Sequence, residues 1–335
     1  MRLNVTRTGF GVTAGGSAAR YSVHASGRRT VGLGLPGTGT YYQQSSGGGS
    51  RGGASGRASE RARPDEAVDP TQLIPKPGLL ASVAERAYHR GLISYLGGDC
   101  VAALESFEWV LSTDPSATSA GLFAGVAANT IDDPPRAIRH FESVVGSASG
   151  LPDHYQARFL PAGLSLTLTV RITDSVSAAP PFGELAAALA LAELYQTAGR
   201  LEEAIGLLQQ LFESLPDPLV RASLCDLLYA DGDYEAVLET SAGVTNESDV
   251  EVETMHLRGA AFLATGHPTA ALETFTAALA KTTNREIRLL NAVRYDRAIV
   301  LEQLGQDKRS RDDLERVYAA DPAFEDVRER LAGMP

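Results

Sequence analysis

Residues 84–117 read AERAYHRGLISYLGGDCVAALESFEWVLSTDPSA: two apolar stretches at helical spacing, parted by Gly97-Gly98-Asp99 and closed by Asp114-Pro115. With Ala84 as position 1, Gly91, Ala103, Phe107, Val110 and Pro115 stand at positions 8, 20, 24, 27 and 32. Moving 34 residues on lands on Gly125, Ala137, Phe141 and Val144. The frame recurs as Tyr195, Gly199, Ala204, Leu208, Leu211 and Pro216, then as Gly232, Tyr234, Val237 and Val244. It recurs again as Gly259, Gly266, Ala271, Phe275 and Ala278, and finally as Gly305, Leu314, Val317 and Pro322. A fixed period of this length marks a stack of identical supersecondary units, each burying its second face only against a neighbour.

The physical reading of the frame is a run of helix hairpins. Small residues at position 8 (Gly91, Gly125, Ala192, Cys225, Gly259, Ala298) are expected to face small residues at position 20 (Ala103, Ala137, Ala204, Ala271), so that paired helices approach closely. Gly98, Gly199, Gly232, Gly266 and Gly305 precede the second helices and suit the left-handed conformation that ends the first. Asp114-Pro115 and Asp321-Pro322 end the second helices. The fourth unit departs from the frame at Ser241 and the sixth at Ser310. Phe324, Val327 and Leu331, with charges between, give an amphipathic helix over 323–333 that would cap the stack.

A 34-residue period with these residue types resembles the tetratricopeptide repeat (TPR). The resemblance implies a mainly α fold, a TPR-type α-solenoid of about six helix hairpins over 79–335. The repeats fall near 84–117, 118–151, 185–217, 218–250, 252–285 and 291–324. It also implies a concave groove lined by fixed positions of each first helix. Carried over residue by residue, these are Tyr88, Leu92, Tyr95, Asn129, Glu193, Gln196, Asp226, Tyr229, His256, Tyr295 and Glu302. Tyrosines among acids suit a peptide or protein partner, a basic one included. Packing between neighbouring hairpins is an equal reading for Tyr95 and Tyr229. The Lys/Asn/Arg pattern by which some relatives clamp a terminal carboxylate is missing.

Between the second and third repeats the helical period fails. Leu164 to Ile172 alternates apolar and polar residues and is rich in β formers, which predicts a strand. A turn at Thr173-Asp174-Ser175 followed by Val176 to Ala179 makes a β-hairpin insertion over 160–182, ending at Pro180-Pro181. A lone hairpin is marginal in water. It packs on the solenoid, pairs with the N-terminal segment, or pairs with another chain.

Residues 1–42 alternate in short runs broken at Thr8-Gly9, Gly15-Gly16, Ser26-Gly27 and Pro36-Gly37, which predicts a small antiparallel β module of three or four strands. The stretches RLNVTRTGFGVTAGG, ARYSVHASGRRT and VGLGLPGTGTYY resemble a β module of unknown function found at the N-termini of many bacterial proteins. Members begin with a further strand, so the module is expected to be incomplete at its start. Residues 43–78, rich in Gly, Ser, Arg and Pro, read as a flexible, disordered linker.

Charge divides the 335-residue chain sharply. Residues 1–64 hold nine arginines and one glutamate, whereas the remainder holds 21 basic against 40 acidic residues. An acidic helical body is a poor nucleic-acid binder, because neutralised phosphates supply most of that affinity. The basic head invites two further expectations: contact of residues 1–64 with nucleic acid or anionic membrane, and intramolecular docking of the basic segment onto the acidic body.

Catalytic patterns find no foothold. Gly32, Gly34 and Gly37 match GxGxxG without the strand and helix that a dinucleotide site needs. Gly146-Ser147-Ala148-Ser149-Gly150 has alanine where a nucleophile would stand. His24, His89, His140, His154, His256 and His267 lack ligand spacing, and Cys100 and Cys225 read as packing residues. Acid pairs such as Glu202-Glu203 and Asp312-Asp313 read as solvated. Trp109, at position 26 of the first repeat, is expected to be partly exposed, either covering the first-repeat edge or contacting the linker or N-terminal module. These features predict a cytoplasmic, non-enzymatic protein–protein interaction scaffold or adaptor, without cofactor or metal. The alternative is an adaptor whose head binds membrane or nucleic acid while the solenoid recruits a protein.

Overall fold

The computed structural model describes the backbone of five strands between residues 2 and 46, and residues 71, 74–147, 150–160 and 165–334. Most of the linker stretch, from 47 to 70, lies outside the described residues. The chain divides into two compact units, Met1–Val170 with Ala179–Leu191, and Arg171–Ala178 with Ala192–Pro335.

In the first unit, β1 (Arg2–Thr6), β2 (Gly9–Ala14), β3 (Ala19–His24), β4 (Arg29–Gly34) and β5 (Tyr41–Ser46) form an antiparallel meander in chain order. This is one strand more than the turn signals predict, because β5 runs into polar sequence that reads as linker. Strand β6 (Ser165–Leu168) adds to the β1 edge in parallel, Arg2 opposite Ser165 through Val5 opposite Leu168. Of the three fates open to the insertion, its first strand therefore meets the N-terminal sheet. On its other side the Phe182 N–H donates to the Leu166 carbonyl at 2.9 Å and the Leu168 N–H to Pro180 at 3.1 Å.

The single strand expected over 164–172 is broken at Thr169. β7 (Val170–Arg171) and β8 (Ser177–Ala178) make a separate short pair. The tip between them is closed by the Ile172 N–H to Val176 carbonyl bond at 2.9 Å, and the Thr173 hydroxyl oxygen accepts from the Ser175 and Val176 N–H groups. A side chain that mimics a backbone turn in this way ends the extended run early.

The first unit also holds the helix pairs α1 (Val83–Leu96) with α2 (Cys100–Thr113) and α3 (Thr118–Thr130) with α4 (Pro134–Val145). Helix α1 starts with a reciprocal capping box, Ser82 and Glu85 each accepting the other's backbone N–H. Asp99 and Asp133 cap α2 and α4. A short helix, α5 (His154–Phe159), follows. Helix α6 (Glu184–Thr197) begins in this unit and leads into α7 (Leu201–Ser214). The second unit continues with α8 (Pro218–Asp231) and α9 (Tyr234–Thr240), α10 (Asp249–Ala264) and α11 (Pro268–Ala278), α12 (Ile287–Gln303) and α13 (Asp307–Ala320), and α14 (Val327–Gly333). Six helix pairs thus follow the 34-residue frame. The five expected glycines hold φ between 68° and 85°, and in the second pair Asp132 takes that place at φ 63°.

The close packing inside a pair also involves position 24. A Cβ built on Gly91, Gly125 or Gly259 falls 2.8, 2.8 and 2.3 Å from the ring of Phe107, Phe141 and Phe275. Position 8 therefore makes room for the aromatic ring at position 24, and its smallness is matched to a large partner. In the fourth pair Ser241 ends α9 after seven residues, its hydroxyl donating to the Val237 carbonyl at 2.6 Å. At the end of the chain Ala298, Leu314, Val317 and Val327 form a fully buried cluster with Phe324 and Leu331 against it, so α14 caps the last pair.

Candidate functional site

The residues predicted to line the groove meet three fates. In the first unit Tyr88, Leu92 and Tyr95 are 0%, 1% and 1% exposed. They are core residues, and the expectation that they face a ligand is corrected. Tyr88 stacks on Tyr155 at 5.1 Å and lies 5.9 Å from Phe159, both from α5, and Phe182 lies 4.7 Å from Phe123. Burial raises the Tyr88 and Tyr95 hydroxyls well above their ordinary values.

Helix α5 is what covers them. Its cap Asp153 accepts from the Ser119 N–H and hydroxyl at 2.8 Å each. Tyr155 donates to Asp114 at 2.9 Å, and Arg158 pairs with Glu85. The signal was present in the sequence as a capping aspartate before an i, i+4 aromatic pair, Tyr155 and Phe159. The 34-residue frame ended at 151 and passed over it. Asn129, half-buried at the end of α3, is not drawn into this cluster.

At the other end of the chain Tyr295 and Glu302 are engaged by the cap. Tyr295 donates its hydroxyl to Asp326, and Arg330 of α14 pairs with Glu302 at 3.0 Å and with Asp326 at 2.8 Å. Both are half-buried rather than core residues. They hold the capping helix in place.

The remaining residues lie together in the second unit. On α6, Glu193 stands 3.5 Å from the Arg171 guanidinium and Gln196 donates to Asp226 at 3.4 Å. On α10, His256 lies 2.7 Å from Asp296 of α12 and 3.5 Å from Glu253. Tyr229 of α8 lies 5.3 Å from Tyr234. Glu253 and Asp296, absent from the predicted set, complete the group.

The electrostatics are those of a half-buried acidic strip. Burial pushes the Asp226 carboxyl up to about 6, and the neighbouring Glu253 and Asp174 reinforce it against the N–H of Gln196 and the charge of Arg171. For His256, burial opposes the cation, but hydrogen bonding and charge from Asp296 and Glu253 prevail and push it up to about 10. The imidazolium therefore ties α10 to α12 at neutral pH.

The tip of the insertion, 171–178, belongs to this unit and bears on the same strip. Ile172, Thr173 and Val176 are buried, and Arg171 also bonds its neighbour Asp174 at 2.9 Å. Beyond Val176 a cavity of about 490 Å³ is lined by Ser175, Val176 and Ser177 of the tip and by Ser248, Asp249, Val250 and Glu286 at the starts of α10 and α12. Among the described residues no group of three or more His, Cys, Asp and Glu side chains is arranged to hold a metal ion, and no helix is long and apolar enough to cross a membrane.

Comparisons with known proteins agree with this architecture. Residues 256–323 match the family described as tetratricopeptide repeat, and residues 1–43 match a protein family of unknown function, DUF4236. The N-terminal domain of the EccA1 ATPase from the ESX-1 secretion system of Mycobacterium tuberculosis superposes with a TM-score of 0.50 at 14% identity. That similarity covers 74% of this chain and 88% of that one. YrrB, described as a TPR protein with an unusual peptide-binding site, gives a TM-score of 0.46 at 10% identity, over 68% of this chain and 98% of its own. The likeness to the EccA1 domain bears on the fold alone and leaves the partner open. No curated protein matches the sequence.

Proposed function

With tetratricopeptide-type helix pairs as the premise, we propose that the protein is a non-catalytic interaction scaffold that takes up a peptide or protein partner on the first-helix face of α6, α8 and α10. One observation carries the proposal. Asp226, Glu253, Glu193 and Asp296 stand on four helices with Arg171 paired to Glu193 and His256 set between Glu253 and Asp296, and burial raises the half-buried Asp226 carboxyl. Desolvating carboxylates together is unfavourable in the free protein and is relieved when a partner supplies charge or donors. Tyr229, beside them, offers a ring of low conformational entropy for contact.

The test is affinity capture with the full chain beside a variant carrying Asp226→Ala and Tyr229→Ala, both checked for retained helicity. A partner held by the parent chain and lost by the folded variant supports the proposal. A partner held equally by both refutes the assigned face.

The charge division along the sequence favours a second reading, an adaptor whose basic residues 1–64 contact anionic membrane or nucleic acid. It predicts binding to anionic vesicles or oligonucleotides that weakens steeply with salt and disappears when those residues are removed. Absent or salt-insensitive binding excludes it.

A further inference from the structure

The acidic strip is already in contact with a cation that belongs to the chain itself. Arg171 reaches Glu193 from the tip of the insertion and acts on Asp226, while Ile172, Thr173 and Val176 beside it are buried within the unit. The tip is only eight residues long, and an isolated two-stranded hairpin is marginal in water. Apart from those three buried side chains, its hold is light. The Arg171 side chain is 47% exposed, so solvent screens its ion pairs. The opposite flank of the tip borders a half-open cavity of about 490 Å³ beside the starts of α10 and α12.

We propose that the tip 171–178 is an internal occupant of the partner-binding face, in which Arg171 stands in for an arginine of the partner, and that an arginine-bearing extended segment binds by displacing it. The inference rests on the reading of this face as a partner site and names the chemistry of what binds there. Arginine fits better than lysine. Its planar fork can bond a carboxylate in bidentate fashion while stacking on a ring such as Tyr229, and it is more weakly hydrated on entering a half-buried site. The tip lowers the apparent affinity of every such partner by the fraction of molecules in which the face is covered.

The experiment uses the full chain and a fluorescein-labelled octapeptide of alternating Gly and Arg, with Gly-Lys and Gly-Gln octapeptides as controls. Arg171→Ala is expected to tighten Gly-Arg binding at least fivefold, with Gly-Lys weaker and Gly-Gln unbound. Adding Glu193→Gln to Arg171→Ala should remove the gain. Hydrogen exchange at Ile172 and Val176, whose amides are bonded in the tip, should accelerate on saturation with Gly-Arg. Unchanged or weaker binding by Arg171→Ala, a gain that survives Glu193→Gln, or binding without faster exchange at 172 and 176 overturns the inference. If no variant binds the octapeptides, arginine recognition fails, while the partner face itself is still judged by the capture experiment.

Discussion

The same side of the first helices is built from opposite materials in the two units. In the first it is aromatic, with Tyr88, Tyr95 and Phe123 sealed by Tyr155, Phe159 and Phe182. In the second it is charged, with Glu193, Asp226, Glu253 and His256, and Arg171 of the tip reaches Glu193 and acts on Asp226. An aromatic cover is held by area removed from water and by ring contacts, and opens only with the unit. The tip is held by three buried side chains and by exposed ion pairs over only eight residues, a smaller hold that can lift locally. Position in a repeat therefore does not decide whether a surface is core or site; what the rest of the chain lays over it does.

The contrast can be broken most forcefully on the aromatic side. Phe123→Ala removes a ring lying 5.3 Å from Phe107, 5.6 Å from Tyr95 and 4.7 Å from Phe182. It should cost about 3–5 kcal/mol in a urea titration, and a loss below roughly 1 kcal/mol would show the cluster to be loosely packed. Next is Gly259→Ala, whose methyl would sit 2.3 Å from the Phe275 ring. It should destabilise by about 1–3 kcal/mol although alanine is the better helix former. Gly259→Ala with Phe275→Leu should recover part of that loss.

The charged side should answer to pH. His256 titrates at about 10 in the folded chain against an ordinary 6.5, so its stabilisation is complete below about pH 6.5 and is lost as pH rises through 10. His256→Gln should therefore destabilise by about 2 kcal/mol at pH 6 and by much less at pH 10.5, as followed by thermal unfolding. Asp226 behaves in the opposite sense. Its raised carboxyl holds its proton more tightly in the folded chain, so stability falls as pH climbs from 3.8 through about 6. Asp226→Asn should stabilise the protein by about 1 kcal/mol at pH 7.5 and leave it unchanged at pH 3.5. A destabilised Asp226→Asn at pH 7.5 would mean that the carboxylate is satisfied by partners within the fold.

Much of the fold is legible in residue types. The frame of Gly91, Phe107, Gly125 and Phe141 sets the hairpins, and Gly98 or Gly232 marks where a first helix stops, because only local backbone geometry and near-neighbour packing are involved. The cover was not legible. Asp153 before Tyr155 and Phe159 marks a helix start, but six residues, 154–159, are too short to show a full period, and their effect falls on Tyr88 and Tyr95, about sixty residues away in sequence. The engagement of Tyr295 and Glu302 by Arg330 was not legible either, because Arg330 lies beyond the repeat. The acidic strip was half legible: Glu193, Asp226 and His256 followed from position, while Glu253, Asp296 and the approach of Arg171 depend on how consecutive pairs meet.

The measurement that bears most directly on the difference between the two covers is native-state hydrogen exchange on the full chain, comparing 154–159 with 171–178. The account predicts that the α5 amides exchange near the rate of global unfolding, while the tip amides exchange at least a hundredfold faster by local opening. Equal protection of the two segments would contradict it, and would make the tip as permanent a part of its unit as α5 is of the other.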